Sequence, residues 1–259
     1  MPKMLAVGLV LLLTLLTASA LAASNTFIDH FDARLGSHLE DPDSAFTVTS
    51  GEIHRKIPTS GLDRRYVRTI PTSHDSGDWT YTITFDITNT SKPEIVFIGV
   101  GSGAAGGPYN EPIDSAEFRI HNQAIGGGMV HMAVSNANGL FTPPPGFATY
   151  IGSLPTDGRY KARLGKDGGL LHFSILDLTD TAIMSGAISV PSVISDPIAR
   201  LFFGNAWPET MYDDMIVAPP PPTTKDECKK GGWETYAVFK NRGDCVSFVA
   251  TGGKNLPAN

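Results

Sequence analysis

The sequence predicts an all-β protein: a two-sheet antiparallel sandwich followed by a small tail closed by a disulfide. Three observations carry this. Residues 79–88 alternate apolar and polar side chains, with Trp79, Tyr81, Ile83, Phe85 and Ile87 at the odd positions. Many further short segments of β-type composition are separated by Gly, Pro, Asn and Asp. The two cysteines, Cys228 and Cys245, both lie beyond a run of four prolines.

A period of two puts one face of a strand in a core and the other in water, whereas a helix would scatter these aromatics around its circumference. Tyr160, Ala162 and Leu164 alternate with Arg159, Lys161 and Arg163, and Leu171, Phe173 and Ile175 alternate with His172 and Ser174. Between them, Lys166-Asp167-Gly168-Gly169 reads as a hairpin turn, because Asp-Gly and Gly-Gly tolerate positive φ. Residues 94–100 are almost continuously apolar and read as a central strand. Further strands are expected at 46–48, 66–70, 117–121, 129–135, 182–190, 198–203 and 211–217. Many short antiparallel strands imply a sandwich or barrel, not a parallel α/β sheet.

The N-terminus carries Lys3, an apolar run over 5–16 and the small residues Ala18, Ser19, Ala20 and Ala22. This is the pattern of a secretory signal, with cleavage expected after Ala22. The apolar run is short for a membrane span of about 20 residues. A secreted or otherwise extracytoplasmic protein is therefore expected, with no membrane span in the mature chain. In that setting Cys228 and Cys245 are most simply a disulfide.

Pro219–Pro222 forms a stiff, extended segment that cannot continue a sheet. The expected organisation is a signal peptide at 1–22, a sandwich at 24–218, a linker at 219–224 and a tail at 225–259. Residues 23–222 hold 13 basic and 22 acidic side chains, and the tail from 223 onward holds 6 and 4. These opposite balances favour contact between tail and sandwich. The whole chain has a formal charge of −6 and no basic patch, which argues against nucleic acid or anionic lipid as a partner.

Several segments, in order, resemble the concanavalin A-like (laminin G-like) jelly-roll superfamily. Phe27-Ile28-Asp29-His30-Phe31-Asp32 resembles its opening strand, and residues 79–88 its long edge-to-core strand. Residues 158–163 with 171–173 resemble its common hairpin, and 201–204 with 212–217 its closing strands. The resemblance covers roughly 27–217. It implies a jelly roll in which first and last strands lie side by side. The superfamily hosts lectins, carbohydrate-binding modules, hydrolases, lyases and adhesion domains, so it implies no single function. The tail resembles a short cysteine-containing element of exported bacterial proteins.

Candidate chemistry is sparse. Glu111, Asp114 and Glu117 are spaced by three, whereas jelly-roll glycosidases carry carboxylates that alternation brings about 5–5.5 Å apart. Pro112 also interrupts a ladder here, so a polar loop entering a strand is the simpler reading. His121 and His131 face each other only if their strands pair, and such a pair is more often half-buried than metal-bound. Asp213 and Asp214 would point to opposite sides of a straight strand, which leaves at most one for calcium. Residues 101–107 are glycine-rich but lack a following helix and a phosphate-binding Lys-Ser/Thr. Phe141-Thr142-Pro143-Pro144-Pro145-Gly146-Phe147 is an aromatic loop or a rigid crossover. Trp233, Tyr236 and Phe239 read as the core of the tail.

Sugar recognition needs aromatic faces for C–H surfaces and planar polar groups for hydroxyls. Tyr109, Asn110, Arg119, His121, Asn205 and Trp207 are the expected ligand-binding set, with Trp207 equally able to plug one end of the sandwich. The sequence therefore predicts a binding module, with glycan as the expected partner, no catalytic residue, no required cofactor and calcium as the candidate ion. A polysaccharide hydrolase or lyase and an extracellular protein-interaction module are the alternatives.

Overall fold

The computed structural model describes residues 27–56, 65–70, 78–87, 95–101, 115–122, 128–135, 148–154, 157–189, 200–205, 210–236 and 239–252. The expected signal peptide lies outside them. The first strands are β1 (Phe27–Asp29), β2 (Leu39–Glu40), β3 (Phe46–Thr49), β4 (Glu52–Arg55) and β5 (Arg65–Thr69). The central strands are β6 (Trp79–Ile87), β7 (Ile95–Gly101), β8 (Ser115–Asn122), β9 (Gly128–Ser135) and β10 (Ala148–Ser153). The last are β11 (Gly158–Asp167), β12 (Leu170–Leu176), β13 (Ala182–Ser189), β14 (Arg200–Asn205) and β15 (Thr210–Ala218).

They form two antiparallel sheets. The first runs β13-β12-β11-β6-β15-β4-β3, with β1 also paired to β15; the second runs β10-β9-β8-β7-β14-β5-β2. Phe27 stands opposite Val217 and Ile28 opposite Ile216, so the opening and closing strands do lie side by side. The sequence alternation becomes the core directly. Tyr81, Ile83 and Phe85 of β6 and Ala162 and Leu164 of β11 face inward against Ile98, Phe118, Leu201 and Phe203 of the second sheet, all buried. Each large side chain taken from water in this way contributes about 1.5–3 kcal/mol.

Asp167 pairs with Leu170, leaving Gly168-Gly169 as a two-residue hairpin turn, and Gly168 has φ +53°. That is the left-handed backbone the Gly-Gly pair was expected to supply. The Asp29 carboxylate accepts hydrogen bonds from the backbone N–H groups of Phe31 (3.0 Å) and Gly36 (2.7 Å), which tie down the turn after β1.

Three strands go beyond the sequence reading. β2 is two residues long, β4 (Glu-Ile-His-Arg) holds a single buried apolar residue in Ile53, and β10 pairs with β9 at the edge of the second sheet. Each is set by its neighbour in the sheet, not by its own pattern.

The tail holds a short 3-10 helix (Gly232–Tyr236) and α1 (Arg242–Ala250). Asn241 caps α1, its side-chain oxygen accepting from the Asp244 N–H at 3.0 Å. Cys228 and Cys245 are disulfide-bonded. They are buried with Tyr236 and Phe239, and Trp233, Val246, Phe248 and Val249 pack around them. Glu227 accepts from the backbone N–H groups of Thr223 and Thr224, each at 2.7 Å, and so anchors the end of the proline segment. No helix among the described residues is long and apolar enough to cross a membrane.

Candidate functional site

Of the expected ligand-binding set, Arg119, His121 and Asn205 fall within the described residues. Tyr109, Asn110 and Trp207 lie outside the described residues, as do Glu111, Asp114 and the 141–147 loop. His121 sits on β8, opposite Ile95 of β7 and Met129 of β9. Arg119 stands opposite Phe97, and Asn205 stands opposite Val96. Phe97 and Val96 are consecutive on β7, so Arg119 and Asn205 occupy opposite faces of the second sheet.

Asn205 faces the interior and is fully buried. Its backbone carbonyl accepts from the Arg55 guanidinium, and its amide reaches the Thr210 carbonyl at 3.5 Å. These contacts join the end of β14 to β4 and to the start of β15.

Arg119 lies on the outer face. Its Nε donates to the Glu117 carboxylate at 2.5 Å, and its guanidinium sits 5.2 Å from the centre of the Phe97 ring. Tyr66 and Phe202 complete an aromatic cluster with Phe97, separate from the main core. A Cβ on Gly99 would come within 2.6 Å of the Glu117 Cβ and 2.8 Å of the Phe202 ring, so the glycine lets this layer close. Glu117 and Arg119 are only 1% and 3% exposed. The pair is a built feature of the second sheet, shielded from solvent.

Among the described residues, an accessible cleft lies on the first sheet. Thr80, Thr82 and Thr84 alternate with the core residues of β6 and turn toward the outer face, where they floor a cleft of about 220 Å³. Beside them, Lys161 and Arg163 of β11 stand opposite Thr84 and Thr82. Asp180, in the connection after β12, accepts from Lys161 Nζ and from Arg163 Nη2, both at 3.1 Å. Tyr236, Phe239 and Phe248 of the tail, with the proline segment, form the facing wall. The tail thus meets the sandwich. Burial, and then the charge of Glu227, push the Tyr236 hydroxyl above its ordinary pKa of 10.0, so it stays protonated and can donate.

The far end of the cleft is shaped by a bulge. Asp213 pairs with Thr84 and Ile216 with Thr82, so β15 carries one extra residue there. Asp214 adopts φ +46° and lines the cleft. The bulge corrects the straight-strand expectation for the two acids. Asp213 faces Arg159 at 3.6 Å, while Asp214 lies 2.6 Å from His30 Nδ1. Burial, then repulsion from Asp214, raises the Asp213 pKa. Among the described residues, no three His, Cys, Asp or Glu side chains form a group able to hold a metal ion.

The motifs that marked loops in the sequence did not point to this cleft. Its floor was visible as the polar half of the 79–88 alternation, but that pattern says nothing about what covers it.

No protein-family model matches the chain, and no curated protein matches its sequence. Solved structures share its architecture. The CBM2 module of the evolved Dit of Lactobacillus casei BL23 phage J-1 aligns with a TM-score of 0.50 at 10% identity, over 74% of this chain and 93% of that one. Lectin I of Ulex europaeus, solved with the methyl glycoside of α-L-fucose, aligns with a TM-score of 0.51 at 10% identity, over 74% and 96%. The GH43 protein BlXynB of Bacillus licheniformis (K247S) aligns with a TM-score of 0.53 at 12% identity, over 74% of this chain. The chain spans only 39% of that hydrolase. At such identities the likeness is one of fold, and the fold is a jelly-roll, lectin-like sandwich.

Proposed function

We propose that this protein is an exported, non-catalytic glycan-binding module, and that its ligand enters the cleft between the first sheet and the tail. The observation that carries the reading is the cleft's two-sided chemistry. One side presents the hydroxyls of Thr80 and Thr82 with Lys161, Arg163 and Asp180; the other presents Tyr236, Phe239 and Phe248. A pyranose has a matching division, with an apolar C–H face and a rim of hydroxyls. Aromatic faces and a few placed polar groups are how concave sites hold such ligands. The disulfide and the N-terminal composition support export.

A hydrolase or lyase finds less support. Glu117 is engaged by Arg119 and shielded, and paired-carboxylate hydrolysis requires a second carboxyl about 5–9.5 Å away with access to substrate.

The test is a glycan-array screen of the mature protein with and without calcium, repeated on Lys161→Ala. Binding to a defined glycan class, weakened by the substitution, is the expected result. Silence in both conditions removes the reading. Release of reducing sugar that Glu117→Gln abolishes would replace it with the hydrolase.

A further inference from the structure

The cleft continues past β11. A second cavity, of about 460 Å³, adjoins it, and Thr80, Arg163 and Pro221 line both. This cavity is bounded by His172 and Ser174 of β12 and by Ser185 and Ala187 of β13. Its floor includes Gly165, where an added Cβ would meet only the Trp79 carbonyl at 3.8 Å and the Thr80 hydroxyl at 3.9 Å. The space above β11 is therefore open because no side chain fills it.

We propose that the two cavities form one trough for an extended, uncharged oligosaccharide lying across the strands, not for a single terminal sugar. The inference rests on the glycan-binding reading for the class of ligand, and on the trough for its length and charge. From β15 through β6, β11 and β12 to β13 there are four inter-strand gaps, about 19 Å in all at about 4.8 Å each. That distance accommodates several sugar residues.

The lining sets the charge. Lys161, Arg163 and Lys166 are balanced by Asp167, Asp180 and Asp214. Two of the cations are also bonded to one of the acids, Asp180. Such a surface offers hydroxyl partners but no net positive field for a uronate or a sulfate. Hydroxyls recur along the path, from Thr82 and Thr80 to Ser174 and Ser185, and Pro220 and Pro221 supply rigid apolar edges.

The experiment is calorimetric titration of the mature chain with cello-, xylo- and manno-oligosaccharides, from monosaccharide to hexasaccharide, and with oligogalacturonate. Affinity for at least one neutral series should rise about tenfold or more with chain length. Gly165→Leu should abolish that rise while leaving the shortest bound member unchanged. Should Gly165→Leu lower the melting temperature sharply, Ala187→Tyr on the exposed face of β13 narrows the same cavity from its edge. An affinity independent of length, indifference to both substitutions, or a preference for oligogalacturonate overturns the trough and leaves glycan binding standing. No binding to any member overturns the trough, and glycan binding itself then stands or falls with the array.

Discussion

Glu117 and Arg119, two residues apart on β8, form a 2.5 Å ion pair on the outer face of the second sheet, and both are almost completely shielded from water. Desolvating two charges roughly cancels their attraction, but removing one leaves the other stranded. Arg119→Met should therefore destabilise the protein by about 3–5 kcal/mol, and Glu117→Gln combined with Arg119→Met should recover most of that loss. Urea denaturation of the two variants checks this; equal destabilisation of single and double variants would contradict it.

Gly99 is the neighbour that makes the pair possible. A Cβ there would stand 2.5 Å from the Ala116 carbonyl oxygen as well as against Glu117 and Phe202. The backbone carbonyl cannot turn aside as a side chain can. Gly99→Ala should cost about 1–3 kcal/mol through overpacking, read as a fall in melting temperature.

In the tail, the Cys228–Cys245 bond joins residues 17 apart in sequence. Cross-links of this span limit the unfolded chain by about 3 kcal/mol. Replacing both cysteines with serine should release the tail from the first sheet while the sandwich stays folded. Hydrogen exchange should then quicken across α1 and leave β6 and β11 protected. Simultaneous loss of protection in both regions would show that the sandwich depends on the tail.

His30 and Asp214 form an exposed pair at 2.6 Å. The hydrogen bond to Asp214, opposed by burial and aided by the charges of Asp214, Asp32 and Asp213, raises the His30 pKa above 6.5. The folded state thus favours the protonated ring. Its contribution is fully present below the pKa of the free imidazole and fades as pH rises through the raised value. Solvent screening keeps it to about 0.5 kcal/mol or less. Chemical denaturation between about pH 5.5 and 8.5 should show this small decline in the parent and not in Asp214→Asn.

Much of the architecture could be read from local pattern. Alternation along β6 predicted which side chains form the core, and Gly168-Gly169 predicted the hairpin because few other residues accept that backbone. β2 and β4 were not legible, since two to four residues of mixed polarity take strand geometry only when a neighbouring strand supplies the hydrogen bonds. The tail helix was hidden for a related reason. Its cap and its buried cysteine matter more than any apolar stripe along it.

Sequence by itself determined the antiparallel sandwich, its longer strands and the disulfide-closed tail, because these follow from periodicity, turn chemistry and cysteine count. Tertiary structure decided which polar residues share a surface. Arg119 and Asn205 are separated by one residue of register on β7, which turns one outward and the other into the core. Phe248 joins Lys161 and Asp180 only because the tail docks on the first sheet. Strand register and tail docking join positions far apart in the chain, and no local pattern encodes such pairings.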